Sequence, residues 1–143
     1  MKALSVRQPF AWLIVNGWKP IENRSRRTKI RGRILIHAGL KFDHKGYATV
    51  RERHPAIPMP GWPGKWRRSD WELGGIVGEV EITACITKGM SLMDSPAYCQ
   101  HHDSPWFTGP FGYVLANARP LPFIPCRGML GFFTPKPPGS AAA

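Results

Sequence analysis

Acidic residues are scarce in this chain, 9 Asp and Glu against 20 Lys and Arg in 143 residues, for a formal net charge of +11. Such a surplus favours polyanionic partners. Cysteine is scarce as well: Cys85, Cys99 and Cys126 are odd in number and widely spaced, which builds no disulfide framework and no C-x-x-C pair and suits a reducing compartment. Long apolar runs are missing. The longest, Phe10 to Val15, falls far short of the ~20 residues that span a bilayer, and Arg7 and Pro9 interrupt any signal-peptide core. A cytoplasmic location without membrane partners is therefore expected.

What is present describes one folded domain. Hydrophobic residues make up 43% of the chain, and at this length roughly two-thirds of the unfolded surface can be buried without disulfides or metals. Gly and Pro, 15 of each, are spread among apolar runs and imply many loops. The domain is expected over residues 1–134 and a disordered tail over 135–143. Neither a cofactor nor a metal is expected.

The charge is one-sided along the chain. Residues 1–72 carry 16 basic and 5 acidic groups and residues 73–143 carry 4 and 4, so the first half holds the whole excess, 16 − 5 = 11. Its densest part runs from Arg24 to Arg33 and contains Arg24, Arg26, Arg27, Lys29, Arg31 and Arg33 without one acid. A run of this kind either keeps a loop solvated or attracts a polyanion, nucleic acid above all. It lacks the apolar face that membrane insertion needs.

The apolar pattern predicts a strand over Lys2 to Val6, a helix from Gln8-Pro9 to Asn16 closed by Gly17, and strands over Pro20 to Asn23 and Arg33 to Ala38. A polar helix over Asp43 to His54 follows. Pro55, Pro58, Pro60 and Pro63 then break the pattern into a long loop ending at Trp71. The clearest strand is Gly75 to Ala84. A turn-rich stretch from Lys88 to Pro110 leads to strands over Phe111 to Ala116 and Met129 to Phe133. The fold class is thus α+β, a small mixed β-barrel, closed or nearly so, with an early packed helix and long irregular loops.

Between the first helix and the basic run lies Gly17-Trp18-Lys19-Pro20-Ile21-Glu22-Asn23-Arg24. In an extended segment residues two apart share a face, so Glu22 and Arg24 project together. With Lys19 they bring a carboxylate and two cations to the end of a helix. That set can bind phosphate, polarise a carbonyl, accept a proton or receive a base amino group. An ion pair that merely closes a loop is the other reading of Glu22 and Arg24.

These residues resemble the ASCH domain family, a PUA-like group. The resemblance rests on Ser5-Val6-Arg7-Gln8-Pro9-Phe10-Ala11-Trp12, the G-x-K-x-x-E-x-R pattern at Gly17 to Arg24, Arg31-Gly32 before Ile34-Leu35-Ile36-His37-Ala38, and Phe111-Gly112-Tyr113-Val114-Leu115. It spans about residues 2–133. It implies a PUA-like barrel with a cleft beside the first helix used for RNA or another single-stranded nucleic acid, with Gln8, Lys19, Glu22 and Arg24 among its residues. Some small bacterial relatives hydrolyse acetylcytidine with a Lys, a Thr and a distant Glu. Lys19 matches that Lys, but Glu22 stands where those relatives have Thr. A nucleoside amidohydrolase or a ribonuclease is therefore the alternative. In the ribonuclease, Glu22 or His37 would take the proton of a 2′-hydroxyl and Lys19 or Arg24 would stabilise charge on phosphate.

Two further groups attract notice. Trp62, Lys65, Trp66, Arg67 and Arg68 interleave flat rings with cations, a pairing that either stacks unpaired bases or caps an exposed core edge. Asn117 and Arg119 follow a predicted strand closely enough to reach the same cleft.

Overall fold

The structure, a computed structural model, describes residues 1–136; the tail expected from 135 onward lies outside the described residues beyond that point. Strand β1 (Ala3–Gln8) runs into helix α1 (Phe10–Val15) through Pro9 at the N-cap position. The helix ends at Asn16, and Gly17, with φ of +82°, turns the chain back so that the amides of Trp18 and Lys19 both donate to Leu13 O. A positive φ is natural for glycine and strained for most other residues. Here it sends Lys19 back under the helix.

Strands β2 (Ile21–Arg24) and β3 (Gly32–Phe42) follow, then helix α2 (His44–Arg53), whose Asp43 cap accepts from Gly46 N at 2.8 Å. Beyond it come a 3-10 turn at Arg68–Asp70, β4 (Gly75–Thr87), helix α3 (Pro96–His101), β5 (Phe111–Pro125) and the short β6 (Phe132–Phe133). The six strands form one sheet in the order β2-β5-β4-β3-β1-β6. Among the described residues only the β1–β3 pair is parallel, with Leu4 opposite Ile36. The sheet wraps around a core of Leu4, Val6, Ile14, Ile36, Val80 and Leu115. No helix among the described residues is long and apolar enough to cross a membrane.

The expected closed barrel is not formed. Strands β2 and β6, with four and two residues, are the two edges, and no ladder joins them. Side chains bridge the gap: the Arg24 guanidinium in β2 donates to Ser5 O in β1 at 2.7 Å, and Tyr113 in β5 stacks on Phe132 in β6, with ring centroids 5.9 Å apart. The architecture is a mixed α+β fold around an open, strongly curled sheet.

Candidate functional site

Strand alternation sorts the motif as the spacing predicts. Glu22 and Arg24 share one face of β2, where Arg24 Nε donates to Glu22 Oε2 at 2.8 Å. Lys19 Nζ reaches the other carboxylate oxygen, Oε1, at 3.3 Å and also donates to Ile21 O. Lys19 is only 6% exposed and Glu22 only 8%, so the pair forms a buried floor rather than a solvent-facing rim. Burial drives the Lys19 pKa below its ordinary value, with Glu22 opposing the shift. A cation kept at such expense marks a candidate functional group.

This floor belongs to a cavity of about 540 Å³, within the ~300–1,000 Å³ range of small-ligand sites. Its walls come from three places: Ser5, Arg7 and Phe10 around the start of α1, Asp43 to His54 along α2, and Pro105, Trp106 and Thr108 from the loop before β5. Gly46 lets the walls meet, because a Cβ there would lie 2.5 Å from the Phe10 ring. Lys19 Nζ stands 5.5 Å from the centroid of that same ring. Four cations, Arg7, Lys19, Arg24 and Arg53, line the cavity against two carboxylates, Glu22 and Asp43. The cavity is therefore suited to an anion.

Asn23 points away from Glu22 and Arg24 and fixes the third wall. Its amide donates to Trp106 O at 2.9 Å, and its oxygen accepts from Thr108 N at 2.9 Å and Gly109 N at 3.0 Å. Trp106, so held, stacks on His54 at the end of α2, with centroids 4.5 Å apart and planes 16° from parallel. Neither aromatic is marked out by sequence reasoning. They lie far from the motif in the chain, and the hydrogen-bonding capacity of Asn23 inside it is the one signal that pointed toward a partner loop.

The other candidates are dispersed. Gln8 is buried and spent on backbone: its amide donates to Glu72 O and accepts from Trp12 N. His37 is buried, does not line the cavity, and has both ring nitrogens engaged, by Ser5 Oγ at 3.0 Å and Cys126 O at 2.6 Å, so neither is free to take a proton from a ligand. Arg26, Arg27, Lys29 and Arg31 are exposed on the loop that follows Arg24. That loop is tied back to β5 by Tyr113 Oη donating to Arg26 O and by Arg27 lying over the Phe111 ring. Arg33 instead pairs with Glu79, as does Arg119, while Asn117 bonds Glu81.

Trp62 and Trp66 pack against the cluster of Leu13, Tyr47 and Trp71, with Trp66 also against Phe42 and His44. Lys65 and Arg68 are exposed beside them, and Arg67 pairs with Asp70. None of these five residues lines the 540 Å³ cavity. The tryptophans cap a core edge.

Comparison with known proteins gives likenesses of three kinds. A family model described as ASCH domain matches residues 4–120. Activating signal cointegrator 1 of Homo sapiens is 30% identical over 111 residues, covering 72% of this chain and 17% of the human protein. The chain thus spans a small part of that relative. A crystal structure of a ZmASCH mutant protein from Zymomonas mobilis is 15% identical, covering 87% of this chain and 74% of that one, with a TM-score of 0.45.

Proposed function

The chain belongs to the ASCH domain family, whose PUA-like fold is associated with RNA binding, and from that premise we propose that it binds RNA or another single-stranded nucleic acid, seating one nucleotide in the 540 Å³ cavity. One observation carries the reading: Lys19, Glu22 and Arg24 share the floor of a large cavity with a net excess of cations. A phosphate is drawn to Lys19, Arg24, Arg7 and Arg53. The Glu22 carboxylate keeps lone pairs free beyond its two cationic partners and accepts from a base amino group. The stacked Trp106 and His54 give the base a flat wall. Arg26, Arg27, Lys29 and Arg31 lead the backbone toward the cavity without reading sequence.

Salt dependence tests this. If about four to six phosphates are engaged, log affinity for single-stranded RNA falls against log salt with a slope near −3 to −4. Absence of binding at low salt contradicts the reading.

Hydrolysis of an acylated nucleoside is a second reading, favoured by the lowered Lys19 pKa. A lysine that sheds its proton easily is a usable base or nucleophile. Product release from acetylated nucleosides that rises with pH and is lost in Lys19→Met supports it; no release from any of them removes it.

A further inference from the structure

A second concavity, of about 370 Å³, adjoins the first. Trp18 lies on one side of it, and Arg53, His54 and Trp106 are shared with the larger cavity. The stacked His54–Trp106 pair is thus a partition with one concavity on either side. Chain neighbours serve both: Lys19 lies on the floor of the larger cavity, and Trp18 lines the smaller one. Trp18 is 43% exposed, although tryptophan is usually highly buried. The partition is built rather than incidental, since three hydrogen bonds with the Asn23 side chain, one donated and two accepted, hold the loop that carries Trp106.

Resting on the reading that the larger cavity takes a nucleotide, we propose that the smaller concavity is a second base subsite. It seats the base of the adjoining nucleotide against Trp18 and the outer side of the partition. Arg53, common to both concavities, faces the linking phosphodiester. The ligand class is then a single strand of at least two nucleotides rather than a free nucleotide.

The probes are the nucleoside 5′-monophosphates and the homodinucleoside monophosphates, such as UpU, of the four bases. Each carries one phosphorus, and the dinucleotide bears less charge, so tighter dinucleotide binding reports the second base. Calorimetry at low salt is expected to give at least one dinucleotide a gain of about 5- to 100-fold over its mononucleotide, the usual worth of one stacked base. Trp18→Ala should remove that gain and leave mononucleotide affinity unchanged, while Trp18→Phe keeps most of it. Thermal melting of both variants confirms that the fold is intact. Mononucleotide binding without a dinucleotide gain, or a gain that survives Trp18→Ala, overturns the second subsite alone. If no probe of either kind binds, the cavity reading fails and the second subsite with it.

Discussion

Replacing Lys19 by methionine is expected to weaken binding of single-stranded RNA by about 10- to 100-fold while leaving the fold as stable as before, or more so. The first effect follows from losing a charge-assisted hydrogen bond from a buried ammonium, worth ~1.5–3 kcal/mol. The second follows from burial. At 6% exposure an ammonium group has surrendered most of its hydration, which is why its pKa is held down despite Glu22. Methionine fills much the same volume without that penalty, and Glu22 keeps Arg24 as its partner at 2.8 Å. The bonds to Ile21 O and to Glu22 Oε1 are forfeited, the second of them long at 3.3 Å.

The sign of the pH dependence is fixed. A lysine whose folded-state pKa lies below its unfolded value of 10.5 stabilises the fold fully above the unfolded value, and this contribution is lost as pH falls through the folded one. The stability advantage of Lys19→Met should therefore narrow as pH climbs toward 10.5. Urea denaturation at several pH values reads it directly. A large loss of stability at neutral pH would mean that Lys19 is a structural strut.

Glu22→Ala should behave oppositely and destabilise the protein by about 3 kcal/mol, because removing one member of a buried ionic set leaves the others uncompensated. For a domain of this size that is a drop in Tm of roughly 10 °C. Lys19 and Arg24 would then face each other with no carboxylate between them. With the opposing pull of Glu22 gone, the Lys19 pKa falls further. Stability of the variant consequently recovers with rising pH over a wider window than in the natural chain. A deficit that does not shrink with pH would contradict the account of the floor as one coupled set. RNA affinity should fall as well, since Glu22 both accepts from the base and positions the two cations.

Much of this was legible in the sequence. Gly75 to Ala84 reads as a strand because β-branched residues recur along it, and the structure extends it to Thr87. Asp43 marks the start of α2 as a cap should. The second half of β5 was not legible: Pro120, Pro122 and Pro125 argue against a strand, yet the long ladder with β4 continues to Pro125 across three irregularities in register. Helix α3 is masked by the turn residues around it, although Ser95 as its cap and Pro96 at its first position carry the signal. The open sheet was not legible either: the pattern predicts a last strand over Met129 to Phe133, and only Phe132–Phe133 forms.

The site divides the same way. Lys19, Glu22 and Arg24 were legible because local geometry, a glycine turn followed by an extended segment, is enough to bring them together. Trp106 and His54 were not, because their meeting depends on Asn23 and on the packing of α2. The run from Trp62 to Arg68 is ambiguous in the sequence, and none of its residues lines the cavity. Rings interleaved with cations have one composition whether they stack on bases or lie on Phe42, His44 and Tyr47.

The most direct test of the central claim, that the cavity above Lys19, Glu22 and Arg24 is where nucleic acid binds, is an NMR titration of the isotope-labelled protein with single-stranded RNA. The 6 tryptophans report by their indole N–H resonances. The expected result is that the Trp106 indole and the backbone amides of Lys19 and of residues 21 to 24 shift together and saturably, while the indoles of Trp62, Trp66 and Trp71 stay in place. Shifts confined to Trp62 and Trp66, with the cavity amides unmoved, would contradict it.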